Sequence, residues 1–260
     1  QEVAKFRAAR RMWARIMRER FGARDERSLK LRFHTQTGGV TLTAQQPENN
    51  IVRVALQGFA AVCGGTQSLH TNGFDEALAL PTENAARIAV RTQQILAYES
   101  GVADTVDPFA GSYFVEALTD EIERRAGELI ARVDELGGAV AAIDFVKAQI
   151  EESAFGYHER YRLGQDVVVG VNRFVQDEVQ VPDLMRVDPA TEHEQVQRLQ
   201  AFKRNRDQPL IAVRLEQVRA TARTADNLLP ALREALADRC TLGEVCAAMR
   251  DVFGSYQPTN

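Results

Sequence analysis

Two short polar segments of this sequence carry side chains that could bind a polar or charged ligand. The first is His34–Gly39 (His-Thr-Gln-Thr-Gly-Gly), and the second is Gln67–Asn72 (Gln-Ser-Leu-His-Thr-Asn), about one strand–helix unit further along the chain. Imidazole, amide and hydroxyl groups make directional hydrogen bonds, whereas buried parallel strands normally read as continuous apolar runs. The pattern therefore indicates strands that line a wet space filled by a ligand.

The strand predicted over residues 28–36 has one apolar and one polar face. Leu29, Leu31 and Phe33 point to one side of the strand. The alternating residues on the other side are Ser28, Lys30, Arg32, His34 and Gln36. Burying unpaired polar groups costs about 2–7 kcal/mol each, so this face either lines a channel that holds an extended polar ligand or faces solvent. The residues alone leave both alternatives open.

The elements around these segments predict an α/β arrangement with parallel strands. The periodicity favours a helix over residues 1–21, a buried helix from Ile51 to Val62 after an Asn49-Asn50 cap, a second strand over 66–71, and a helix from 83 to about 99. Only two strands are visible, whereas a (β/α)₈ barrel needs eight and about 250 residues.

The character of the chain changes after Asp104. A loop precedes two predicted helices, at 113–137 and 139–163, and a short β-type run follows at 167–171. Three or four helices come after that, and Thr241–Glu244 reads as a capping box for the last one, which ends near Gly254.

Composition and charge disfavour several classes of function. The 260 residues carry a net charge of −4 with both signs interspersed, and this pattern gives no basic stripe for nucleic acid and no polybasic patch for lipid. No apolar run is long enough for a membrane helix. The three cysteines form no metal or redox motif, which is typical of reduced thiols in the cytoplasm. Gln1 lies inside a helical pattern, so we expect the chain to be a fragment.

The two polar segments and a third, Asp75–Thr82 (Asp-Glu-Ala-Leu-Ala-Leu-Pro-Thr), resemble the large chains of adenosylcobalamin-dependent acyl-CoA mutases, the methylmalonyl-CoA mutase family. The resemblance runs from Ala4 nearly to Gly254. It implies that residues 1–104 are the C-terminal part of an acyl-CoA-binding (β/α)₈ TIM barrel and contribute its last two strands. It also implies that residues 105–260 form a mostly helical region after the barrel.

The same resemblance implies roles for eight residues. Those implied to contact coenzyme A or its pantetheine arm are Arg27, His34, Gln36, Gln67 and Ser68. Gly39, Glu76 and Ala77 match positions against the corrin face of the cofactor. For the Gly38-Gly39 pair, the residues alone favour an ordinary turn after a strand, and the alternative for Asp75-Glu76 is an acidic pair that complements the dipole at a helix N-terminus. Lys30 and Arg32 depart from the small polar residues of the methylmalonyl enzymes.

The resemblance also implies partners and an activity. The family's Asp-x-His-x-x-Gly cobalt-ligating motif is absent from this sequence, and the chain ends soon after its last helix, as in large subunits whose cobalamin-binding small subunit is separate. We therefore expect an isomerase that acts on an acyl-CoA by radical 1,2-rearrangement, with a cobalamin-binding subunit or domain as partner and an oligomeric assembly. The alternative is a non-catalytic partner-binding fragment that is inactive alone.

Overall fold

The structure is a computed structural model that describes residues 1–176 and 183–256. The chain divides into two compact units, Gln1–Arg186 and Val187–Asn260. Within the described residues of the first unit, five helices and two strands follow the order α1, β1, α2, β2, α3, α4, α5. Their bounds are α1 Glu2–Glu19, β1 His34–Gln36, α2 Asn49–Cys63, β2 Ser68–His70, α3 Glu83–Tyr98, α4 Tyr113–Glu135 and α5 Ile143–Arg162.

The two strands pair in parallel, so the predicted α/β arrangement is confirmed. His34 lies opposite Ser68, and Gln36 lies opposite His70. Leu69, between Ser68 and His70, faces the helices: a Cβ atom at Gly58 of α2 would lie 3.8 Å from Leu69 Cδ2. Helix α2 therefore covers one face of this small sheet.

The predicted strand over residues 28–36 is wrong in extent. Residues Glu26–Leu29 form a short 3₁₀-helix, and ladder pairing begins only at His34. The Asp25 side chain accepts a hydrogen bond from the Arg27 backbone N–H at 2.8 Å. Such a local side-chain bond gives the backbone an alternative to extended structure. Trp13 Nε1 also donates to the Ser28 carbonyl oxygen at 3.0 Å, which ties this turn to α1.

Helix α2 is buried along one side only, although its sequence is apolar almost all round. Val54 and Gly58 are buried, and a Cβ atom at Gly58 would lie 3.0 Å from Leu96 Cδ1 of α3. Val52 and Leu56, by contrast, are 61% and 65% exposed. The prediction of a buried helix therefore holds for one side of α2 only.

An arginine cluster joins α1 to α4. Arg7 Nε donates to both carboxylate oxygens of Asp107 at 3.0 Å, and its Nη atoms donate to Glu116 and to Thr119 Oγ1. Hydrogen bonding to Glu116 and Asp107 raises the pKa of Arg7 despite partial burial. The planar guanidinium is suited to such forked pairing, so Arg7 fixes α1 against the start of α4.

The second unit consists of four helices in its described part. These are α6 Pro189–Arg204, α7 Gln208–Ala222, α8 Leu229–Ala237 and α9 Leu242–Phe253. The predicted capping box is confirmed, because Thr241 and Glu244 exchange side-chain and backbone hydrogen bonds at the start of α9. Gly254 ends that helix with a φ of +73°, which glycine adopts readily.

The core of this unit lies between α7, α8 and α9. Its buried members are Ile211, Val218, Ala235, Cys240, Val245 and Ala248. Arg206 closes one edge, since its guanidinium donates to both carboxylate oxygens of Glu244 while its side chain is 4% exposed. The Arg206 guanidinium is thus held out of bulk water, whereas the Glu244 side chain stays 21% exposed.

The described sheet has two strands, so membership of an eight-stranded barrel and a boundary at residue 104 stay predictions. None of the helices in residues 1–176 and 183–256 is both long and apolar enough to cross a membrane. All three cysteines are free thiols, with Cys63 and Cys240 buried. Burial raises the pKa of both buried thiols.

Candidate functional site

The outer face of the sheet presents four polar side chains to solvent. His34 and Gln36 of β1 and Ser68 and His70 of β2 are exposed, while Thr35 and Leu69 between them are partly buried. His34 Nδ1 lies 2.6 Å from Ser68 Oγ, and the two groups share a hydrogen bond. Parallel pairing therefore brings three of the predicted ligand-binding residues, His34, Gln36 and Ser68, onto one surface.

Gln67 directly precedes β2, and its side-chain amide forms hydrogen bonds with two backbone groups. Its Oε1 accepts from the Phe33 N–H at 2.8 Å, and its Nε2 donates to the Gly65 carbonyl oxygen at 2.8 Å. An amide nitrogen has two hydrogens, so one N–H of Gln67 is left over for another acceptor. Gln67 thus positions the two strands, a role that sequence reasoning missed.

Arg27 lies outside the strands, in the 3₁₀-helix. Its guanidinium pairs with Asp25 at 2.8 Å, and its side chain is 80% exposed. This hydrogen bond raises the pKa of Arg27 and lowers that of Asp25. Since the pair is exposed, it contributes little to stability and leaves Arg27 free to reorient toward a ligand.

Predicted cofactor-facing residues meet just beyond the carboxyl ends of the strands. A Cβ atom at Gly39 would lie 2.9 Å from Asn72 Nδ2 and 3.3 Å from Cγ and Oε1 of Glu76. Gly39 does not have a positive φ, so a left-handed turn is not the reason for glycine here. The close approach of Asn72 and Glu76 requires it instead.

Asn72 is the residue of this group that sequence reasoning passed over. It is 2% exposed, its Oδ1 accepts from Gln36 Nε2 at 3.2 Å, and its Nδ2 is buried with no hydrogen-bond partner among the described residues. An unsatisfied buried donor costs about 1–3 kcal/mol, so such a group warrants a functional explanation. An asparagine directly after a strand was the available signal.

A cleft of about 960 Å³ opens next to this group. Ala77 and Val40 lie on its wall, together with the exposed side of α2 and residues from the end of α5. The residues that line it include Val40, Thr41, Leu56, Gln57, Ala77 and Tyr157. His158 is exposed and also lines this cleft. The cleft is mostly apolar and can hold a large, flat ligand edge.

Comparison with known proteins gives a consistent result along the whole chain. The family model described as methylmalonyl-CoA mutase matches residues 1–255. The chain is 44% identical over 263 residues to the 2-hydroxyisobutanoyl-CoA mutase large subunit of Aquincola tertiaricarbonis, covering 100% of this chain and 47% of that protein.

Two further relatives carry the methylmalonyl name. Identity is 46% over 259 residues with methylmalonyl-CoA mutase of Rhizobium meliloti (strain 1021), covering 98% of this chain and 36% of the relative. It is 42% over 260 residues with mitochondrial methylmalonyl-CoA mutase of Homo sapiens, covering 98% and 35%. The chain therefore spans from about a third to about half of the length of these relatives.

Proposed function

Because the chain belongs to the methylmalonyl-CoA mutase family, we propose that it supplies the final strands of an acyl-CoA-binding barrel in an adenosylcobalamin-dependent mutase. The relatives named above are mutases, and mutases are isomerases. In this proposal the two parallel strands are the last two of eight, and the complete assembly includes a cobalamin-binding subunit or domain. The observation that carries the proposal is the exposed polar face of β1 and β2.

The polar face suits the arm of an acyl-CoA. That arm presents amides and phosphates, which need donors and acceptors at intervals along an extended path. His34, Gln36 and Ser68 offer imidazole, amide and hydroxyl groups on adjacent strands, with the remaining Gln67 N–H at the edge. Arg27 adds a mobile positive charge near the same end of the strands. These residues hold and orient the ligand and take no part in bond breaking.

The residues beyond the strand ends fit a large planar cofactor. Glycines 38 and 39 present no side chain, the Glu76 carboxylate is exposed and can accept hydrogen bonds from peripheral amides, and Ala77 lies on the wall of the adjoining cleft. The buried Asn72 Nδ2, which has no hydrogen-bond partner among the described residues, lies next to Gly39. Gly39, Glu76 and Ala77 would thus lie against the corrin face.

When bound, adenosylcobalamin supplies the carbon-centred radical that starts a 1,2-rearrangement of the acyl group. The residues of this chain contribute binding, orientation and exclusion of water. Leu56, Val40 and Ala77 around the cleft present apolar surface that displaces water from the bound ligands.

Binding of coenzyme A to the 260-residue chain tests the proposal. In isothermal titration, Ser68→Ala and His34→Ala should each weaken binding about three- to tenfold, because each removes about 1 kcal/mol of hydrogen bonding. Gln94→Ala, an exposed amide on α3, is the matched control and should bind as the parent does. If the three variants bind coenzyme A equally, the polar face is not the binding surface.

A second candidate function is a non-catalytic piece that associates with another chain. The observation that favours it is the exposed apolar side of α2 and α3, where Val52, Leu56, Val90 and Ile95 are 61%, 65%, 54% and 51% exposed. Under this alternative the chain self-associates or binds a partner without affinity for coenzyme A. Sedimentation analysis, which measures association, and the coenzyme A titration described above together distinguish the two candidate functions.

A further inference from the structure

Helix α9 carries a second apolar stripe in addition to the one that closes the core of its unit. Val245 and Ala248 of this helix are buried in the core between α7, α8 and α9. Leu242 and Phe253 are instead 70% and 65% exposed. They and the partly buried residues between them form the α9 stripe, which consists of Leu242, Cys246, Met249 and Phe253. Helices with apolar residues in a row along one side normally pack that side against another element.

The rest of the molecule does not account for the α9 stripe. In Gln1–Arg186 the barrel proposed above accounts for the exposed apolar residues of α2, because further strands and helices of a barrel would adjoin them. In Val187–Asn260, however, α7, α8 and α9 already close a core of their own. The start of α9 is also fixed, since Arg206 binds Glu244 and Thr241 caps the helix. The stripe is therefore a preformed apolar surface on a firmly held helix.

The spacing of the α9 stripe indicates what covers it. Its members lie four, three and four residues apart, which is the spacing of a and d positions in a coiled-coil seam. The same order is obtained from either end of the helix, so a second copy of α9 that runs antiparallel presents a matching seam. A two-fold contact between identical surfaces has to be self-complementary in this way.

The side chains match in size across such an antiparallel pair. Leu242 of one copy lies opposite Phe253 of the second copy at each end of the seam. In the middle, the small Cys246 side chain lies opposite the long Met249 side chain. Gly243 beside the stripe presents no side chain, and a Cβ atom there would have no neighbour within 4 Å, so the flank leaves room for another helix. Antiparallel alignment also places opposite ends of the two helix dipoles side by side.

The contact between two copies of α9 is small. The helix has 12 residues, and its length is about 18 Å at the rise of an α-helix. A pair of such helices buries less than the roughly 1,200 Å² at which stable interfaces begin, and contacts of that size form weak, reversible complexes. The expected species is therefore a dimer that dissociates on dilution.

We propose that α9 is a self-association surface, through which two copies of this chain pair antiparallel along the α9 stripe. The occupant of the surface is thus a second copy of the same chain. The inference is independent of the proposed function, because the α9 stripe belongs to Val187–Asn260 and the polar face belongs to Gln1–Arg186.

Sedimentation equilibrium of the 260-residue chain tests the surface. The parent should show a reversible equilibrium between monomer and dimer. Leu242→Gln/Phe253→Gln should raise the dissociation constant of the dimer at least about tenfold, because each copy loses two apolar contacts. The matched control is Leu229→Gln/Val213→Gln, which changes residues outside the stripe that are 69% and 54% exposed and should dimerise as the parent does. Circular dichroism shows whether each variant keeps its helices.

Cys246 gives a second readout that reports on the position of the contact. In the antiparallel pair the two Cys246 positions are offset by three residues, about 4.5 Å along the helix axis. Cys63 and Cys240 are buried, so a short bis-maleimide reagent should join two chains through Cys246. Cys246→Ser should abolish the joined product. Cys246→Ser/Arg233→Cys, which moves the thiol to an exposed position on α8, should not restore it.

Three results would overturn the proposal. The first is a parent chain that stays monomeric at concentrations up to about 1 mM, where weak interfaces are populated. The second is equal dimerisation of the folded stripe variant and the control, which places the contact on another surface. The third is equal joining through position 233 and through Cys246, which shows random collision rather than a defined seam.

Discussion

The two compact units differ in how their side chains are buried and paired. In Val187–Asn260 the apolar residues of α7, α8 and α9 close a core, and the buried Arg206 is paired with Glu244. In Gln1–Arg186 apolar residues of α2 stay exposed, polar residues crowd one face of the sheet, and Arg10 is partly buried and forms no ion pair with the described carboxylates. Leu229, Leu242 and Phe253 of the second unit are 69%, 70% and 65% exposed as well, so the two units differ in how they arrange polar and charged side chains rather than in exposed apolar surface.

Among substitutions in the two units, Glu244→Gln is expected to have the largest effect on the free energy of unfolding. Glu244 accepts hydrogen bonds from Arg206, from the Thr241 N–H and from Thr241 Oγ1, the last two at 2.9 Å. Removing its charge leaves Arg206 unpaired, so unfolding free energy should fall by about 2–3 kcal/mol, moderated by the partial exposure of Glu244. Urea denaturation measures this. Glu216→Gln, whose ion pairs are long at 3.5 Å, should change stability by less than about 0.5 kcal/mol.

The same pair gives a pH dependence with a fixed sign. Hydrogen bonding to Arg206 lowers the pKa of Glu244 from 4.5 to about 2. A depressed carboxyl pKa contributes stability that is complete above the unfolded value and is lost as pH falls toward the folded one. The stability difference between Glu244→Gln and the parent should therefore shrink between pH 4.5 and pH 2. If the stability difference stays constant over that range, the ionised Glu244–Arg206 pair is not the source of the stabilisation.

Substitutions at two neighbouring glycines test whether packing in the folded chain or contact with a bound ligand requires glycine at position 39. Gly39→Val should lower stability without any cofactor by about 1–2 kcal/mol, because its Cβ would meet Asn72 Nδ2 at 2.9 Å. At Gly38 the nearest atom would lie 3.7 Å away, so Gly38→Val is the control. Thermal unfolding of the cofactor-free chain measures both variants. Equal melting temperatures would show that Gly39 is not packed, and would favour a role toward the cofactor alone.

The smallest expected effects distinguish the structural role of Gln67 from the ligand-binding role of Arg27. Gln67→Ala breaks hydrogen bonds to Phe33 and Gly65, so it should lower unfolding free energy by about 1 kcal/mol and also weaken coenzyme A binding. Arg27→Ala should leave stability within about 0.5 kcal/mol and change ligand affinity alone, since Arg27 pairs only with the exposed Asp25 among the described residues. Thermal unfolding and titration of both variants are decisive: equal melting temperatures would contradict the bridging role of Gln67.

Periodicity predicted the helices well, because that signal is local, but the prediction of Asn49-Asn50 as the cap of α2 is wrong: both residues lie inside the helix, which has no side-chain cap. Thr241 caps α9 as predicted, and Thr82 caps α3 in the same way. The strand over 28–36 was overextended because the bond from Asp25 to the Arg27 backbone is invisible to an alternation pattern. The packing of Gly39 on Asn72 and the bridging by Gln67 depend on contacts about 30 residues apart in sequence, so no local pattern could reveal them. The ligand-binding roles assigned to all eight site residues stay predictions: Arg27, His34, Gln36, Gln67, Ser68, Gly39, Glu76 and Ala77.

The hydrogen bond between Trp13 and the Ser28 carbonyl has a spectroscopic consequence. Trp13 is the only tryptophan in the sequence, and its indole is anchored two residues before Lys30. Its ring is 40% exposed, so its emission responds to local polarity and charge. Intrinsic fluorescence of this chain therefore reports on a single place, the turn that leads into β1, and needs no attached label.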